Sequence, residues 1–153
     1  SLQFQDSQGN TVNMSDFQGK KILLVNIATG SPRVNQLAGL QQLQQQYGDS
    51  LVVIAFPSNS FGNESRSDAD IRQFCQGNYN TSFIIAAKIQ VTGAGLPPVY
   101  NWLSRSTDNG DMNLSIGGDF QKILIGKDGS IQGVFSPKLD PTNSEITDAI
   151  TGQ

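Results

Sequence analysis

The 153-residue chain carries one thiol, Cys75, and no histidine. Without imidazole, no side chain ordinarily titrates near neutral pH to activate a serine or a thiol, and no His-ligated metal can form. With a single cysteine, an intrachain disulfide, a Cys-x-x-Cys redox pair and a thiolate-ligated zinc are all excluded. A Mg or Ca site built from carboxylates stays open. Cys75 itself falls on one helical stripe with Ile71 and Phe74, where a free cysteine acts as a small buried hydrophobe rather than a nucleophile. The sharper reading makes it a redox thiol, but the chain offers it no second cysteine as a resolving partner.

Positioning such groups takes a core, and the chain is long enough for one domain spanning residues 1–153. Charged residues make up only 15% of the chain and the formal net charge is −3. That balance argues against a nucleic-acid surface, and Lys20-Lys21 is too short to be a basic patch. No apolar run reaches the ~18 residues of a membrane span. Few charges with many Asn, Gln and Ser lean toward an extracytoplasmic location, either periplasmic or anchored through a segment ahead of residue 1.

The apolar pattern gives the elements. Residues 2–12 read as an N-terminal β-hairpin around Gly9. Ile22–Ala28 and Leu51–Phe56 are continuous β-rich apolar runs, as in strands buried on both faces. Val34, Leu37, Leu40, Leu43 and Tyr47 recur at helical spacing, which predicts a helix over Val34–Tyr47. Ser67 with Asp70 resembles a capping box for the helix that carries Cys75. Ser82–Ala86 is a short strand, and Pro97-Pro98 opens a short helix in which Trp102 packs as core. Lys122–Gly126 and Ser130–Phe135 flank a Lys127-Asp128-Gly129 turn, and Asn143 caps a last helix. The order is hairpin, βαβα, ββα. It predicts an α/β chain with a central mixed sheet flanked by helices, an arrangement that a thioredoxin-like fold satisfies.

Six segments in this order resemble those of the glutathione peroxidase family: VNIAT from Val25, FPSNSFG from Phe56, DIRQFCQGNY from Asp70, KIQVTG from Lys88, PPVYNWL from Pro97 and DFQKILIGKDGSI from Asp119. The resemblance runs from about Phe4 to Ile150. It implies peroxide reduction by a Cys or selenocysteine just before the first long helix, with a Gln, a Trp and an Asn around it. This sequence departs at each of those positions. Its equivalent of the nucleophile is Ser31. The Gln is deleted or replaced by Asn63, since Phe61-Gly62-Asn63-Glu64 is one residue shorter than the family segment. The Trp-Asn pair is Gly118-Asp119.

A serine hydroxyl stays protonated at neutral pH and has no counterpart of sulfenic acid. Asp119, the only ionisable group that the resemblance brings near Ser31, puts negative charge where the family keeps a neutral amide donor. Ser31 is thus either a nucleophile activated by Asp119 or a hydroxyl capping the helix. Asn63, Glu64 and Asp119 together are also a candidate oxygen-ligand set for a metal, against the plainer reading of acidic loop residues. The expectation is a peroxidase-like domain without peroxidase chemistry and without a cofactor. The replacement of Trp by Gly118 is expected to open a cleft for a small ligand or peptide. The alternative is a residual thiol peroxidase using Cys75.

Overall fold

A computed structural model describes residues 2–152. The chain opens with β1 (Gln3–Gln5) and β2 (Thr11–Asn13), paired antiparallel. A 3-10 turn over Met14–Phe17 then leads into β3 (Lys21–Ile27). The order continues α1 (Gln36–Tyr47), β4 (Leu51–Pro57), α2 (Asp68–Tyr79), β5 (Ile84–Ile85), α3 (Pro98–Ser104) and α4 (Ser106–Asn109). It closes with β6 (Lys122–Ile125), β7 (Ile131–Phe135) and α5 (Ser144–Thr151).

Five strands form one mixed sheet in the order β5-β4-β3-β6-β7. Strands β3, β4 and β5 run parallel, β6 returns antiparallel to β3, and β7 antiparallel to β6. Every residue of β3 and β4 is buried, which is why both read as unbroken apolar runs. Because side chains alternate along a strand, β3 feeds two cores. Leu23, Val25 and Ile27 pack with Leu37, Leu40 and Leu43 of α1, Cys75 of α2 and Ile146 of α5. Ile22 and Leu24 pack on the other face with Phe56, Tyr100 and Leu103. There Phe4 of the hairpin meets Phe56 edge-on, and Phe56 meets Tyr100 in the same way, with ring centroids 5.0 and 5.4 Å apart.

The predicted caps form. Ser67 accepts from the Asp70 amide at 3.2 Å, and Asn143 from the Glu145 amide at 2.9 Å. Several boundaries differ from expectation, among them the short strand, which is Ile84–Ile85 rather than Ser82–Ala86. Helix α1 begins at Gln36, not Val34. Residues 31–35 wind instead as tight turns, with Val34 N–H on Ser31 C=O at 3.1 Å and Gln36 N–H on Arg33 C=O at 2.9 Å. The region after α3 contains α4 and a loop organised by Asn109. Its Nδ2 donates to the carbonyls of Trp102, Leu103 and Met112, and its Oδ1 accepts from the amides of Asp111 and Met112.

Lys122 in β6 is fully buried, and its ammonium is received by the carbonyls of Ser136, Pro137 and Leu139. Burial pushes this amine down to about 8, with Asp140 opposing the shift. The contacts fix the segment after β7 over the end of the sheet. Lys122→Met should destabilise the fold by about 1–3 kcal/mol, the cost of leaving buried carbonyls without a donor. Urea unfolding checks it, and an unchanged midpoint would contradict the role given to Lys122.

Candidate active site

The site assembles where β3 leaves the sheet. At that end Asn26 is fully buried, and its Nδ2 donates to Gly118 C=O at 2.9 Å. Its own carbonyl accepts from Phe120 N–H at 2.6 Å. These two bonds dock residues 118–120 onto the strand, with Phe120 at φ +69° and its ring in the core. The third segment comes from the loop after β4. Gly30 donates to Asn63 C=O at 3.0 Å, and a Cβ on Gly30 would stand 2.6 Å from that oxygen. Only glycine permits so close an approach.

Four sequence candidates are thereby placed by contacts at one end of the sheet. Ser31 follows Gly30 and is buried. Its Oγ accepts from Arg33 N–H at 3.1 Å, closing the turn ahead of α1. Asn63 Nδ2 donates to Asp119 Oδ2 at 2.7 Å. Asp119 is buried, and its Oδ1 has no hydrogen-bond partner among the described residues. A Cβ on Gly118 would lie 3.5 Å from Pro137 Cγ and 3.6 Å from Arg33 Nη1. The Pro137 ring and the Arg33 guanidinium thus border the space that a side chain at position 118 would enter, leaving room for a Cβ at ordinary contact distance.

Glu64 takes a different part from the metal ligand considered above. Its Oε1 accepts from Thr29 N–H at 2.8 Å, and its Oε2 from Thr29 Oγ1 at 2.8 Å and Arg66 N–H at 3.2 Å. The Arg66 guanidinium also donates to Thr29 Oγ1 at 2.7 Å and lies 4.6 Å over the Phe74 ring. The carboxylate is a latch between the β3 exit and the loop after β4. Sequence reasoning missed this latch, as it missed Arg33 and Pro137 beside Gly118. The one available signal was an arginine two residues after the nucleophile position.

Cys75, carried by α2, is fully buried in the core. Burial pushes its thiol up to about 12, with Glu64 adding to the rise and Arg66 opposing it.

Residues 1–104 match the family model described as glutathione peroxidase. The chain belongs to the glutathione peroxidase family. A protein of Lactococcus lactis named glutathione peroxidase is 36% identical over 139 residues, spanning 90% of this chain and 88% of that protein. The solved structure of Trgpx in apo form superposes with a TM-score of 0.72 at 28% identity, covering 99% of this chain and 94% of that one. A thioredoxin-family thiol:disulfide interchange protein from Chlorobium tepidum gives a TM-score of 0.68 at 15% identity, covering 99% of this chain and 94% of that one. That likeness concerns the fold alone, and the fold is thioredoxin-like.

A thiol held this way should report unfolding rather than reactivity. Alkylating reagents should label Cys75 far more slowly in the native protein than in urea, and equal rates would contradict its burial. The pH dependence has a definite sign. The native thiol holds its proton above its ordinary value of 9.0, so its contribution to stability is complete below that value and lost as pH rises toward about 12. Replacing Cys75 by Ala should flatten the stability profile across that window in parallel urea titrations.

Proposed function

We propose that this glutathione peroxidase family domain does not turn over peroxide and acts instead as a binding or interaction domain. The observation that carries the reading is the 2.7 Å hydrogen bond from Asn63 Nδ2 to Asp119 Oδ2. The family resemblance assigns to these positions amide donors that polarise peroxide and receive the leaving hydroxide. Here one N–H of the Asn63 amide is given to a carboxylate that stands at the other position.

The chemistry has three requirements, and each is compromised. Peroxide reduction begins when a thiolate attacks one peroxide oxygen. The O–O bond breaks, the sulfur becomes a sulfenic acid, and the second oxygen leaves as hydroxide, which then takes a proton. Ser31 offers oxygen where that two-electron oxidation needs sulfur. The leaving hydroxide needs donors, each worth roughly 3 kcal/mol at a preorganised site, and Asp119 offers acceptors. Negative charge growing beside a carboxylate is disfavoured. Cys75 gives no substitute, because its thiol is buried and raised to about 12. A small ligand or peptide bound at this end of the sheet would meet Arg33 and the Pro137 ring.

Consumption of hydrogen peroxide and cumene hydroperoxide, with glutathione or thioredoxin as reductant, tests this directly. The expected rate equals that of the buffer and reductant without protein. Turnover abolished by Cys75→Ser would overturn the reading in favour of a thiol peroxidase built on Cys75. Turnover abolished by Ser31→Ala would overturn it in favour of chemistry at Ser31.

A further inference from the structure

The opposite end of β3 carries a second feature, independent of the site at Ser31. Strand β3 is seven residues long, so about 20 Å of sheet separates its two ends. Around its first residues lies a cleft of about 300 Å³. That volume is at the lower limit of small-molecule sites, roughly 300–1,000 Å³. Its walls come from Met14 and Phe17 of the 3-10 turn, Val99 and Trp102 of α3, and Ile125 of β6, over a floor of Ile22 and Leu24. The lining is thus mostly apolar, with Ser15 and Gln18 also on it, and is drawn from elements far apart in sequence.

The rim is charged and unevenly satisfied. Lys20, Lys127 and Asp128 border the opening. Lys20 Nζ donates to Gly48 C=O at 3.2 Å. The Asp128 carboxylate is turned onto its own loop, accepting from Ser130 N–H at 3.0 Å and Ser130 Oγ at 2.7 Å. Lys127 has neither a hydrogen bond nor an ion pair among the described residues. Its neighbour Lys21 does not relieve it. Lys21 is itself a cation, donating to the carbonyls of Ala149 and Gly152 at 2.7 and 2.6 Å, and Lys127 helps to lower its pKa. Among the described residues neither Lys20 nor Lys127 has an ion pair, so the apolar slot has a cationic mouth, complementary to an amphiphile with an anionic head.

We propose that this cleft binds a free medium-chain aliphatic carboxylate, its chain against Phe17, Val99 and Trp102 and its head against Lys127. An aliphatic chain suits walls that present no buried polar group for it to satisfy. A carboxylate suits Lys127, which alone on the rim has no hydrogen bond or ion pair among the described residues.

Trp102 is the only tryptophan of the chain and lines the cleft, so its fluorescence reads occupancy directly. The probes are decanoate and decyltrimethylammonium, equal in chain length and opposite in charge, each titrated below its self-association concentration. Decanoate should give a saturable change in Trp102 emission, and the cation should bind several-fold more weakly. Lys127→Glu, a change at an exposed turn residue, should weaken decanoate by roughly fivefold, the range of an exposed ion pair, and invert the preference. Circular dichroism should show the variant folded. An absence of saturable change with decanoate would overturn the proposal. So would equal binding of both probes, or an unchanged preference in Lys127→Glu.

Discussion

Burial at the carboxyl end of β3 governs this molecule. Asn26, Thr29, Ser31, Glu64 and Asp119 are all removed from solvent. An unpaired polar group there costs about 1–3 kcal/mol, and most of these atoms find partners inside the protein, Asn26 Oδ1 and Asp119 Oδ1 being the exceptions among the described residues. The partners lie on two distant segments, the loop after β4 and the approach to β6. Asn26 ties down Gly118 and Phe120, Glu64 ties down Thr29, and Asn63 meets Asp119. Hydrogen bonding thus brings three remote stretches of chain together, and the two cores on either side of the sheet hold them in place.

The same accounting bears on chemistry. A donor aimed at a reactant must be left without an internal acceptor, otherwise it stabilises the resting protein rather than a transition state. One N–H of Asn63 Nδ2 is held by Asp119, and Ser31 Oγ accepts from the Arg33 amide. Both bonds serve the turn and the loop. The scaffold of the glutathione peroxidase family persists while the groups at its reactive end are engaged with one another, and fold alone does not confer the activity of relatives that share it.

Much of this was legible in sequence because the signals are local. Unbroken apolar runs gave β3 and β4, helical spacing gave the buried stripe with Cys75, and Ser67 and Asn143 marked helix starts. The illegible parts depend on contacts across the chain. Helix α1 starts late because residues 31–35 close tight turns on one another, which hydropathy does not record. The loop after α3 is built by Asn109, a single polar residue bonding five backbone groups. Glu64 looked free to ligate a metal because nothing in its neighbourhood names Thr29 and Arg66 as partners. The neighbours of Gly118, Arg33 and Pro137, could not be foreseen because they are remote in sequence.

The central claim is that the site is disabled at more than one position, with Asp119 as an active obstacle. Stopped-flow measurement of the second-order rate constant for hydrogen peroxide, on Ser31→Cys alone and combined with Asp119→Asn, tests it most directly. The account predicts slow reaction of the single variant and a further gain on the order of a hundredfold when the second change restores an amide donor. If Ser31→Cys alone reacts as fast as a working family enzyme measured alongside, and Asp119→Asn adds nothing, a single substitution silenced an otherwise intact site and the account is wrong.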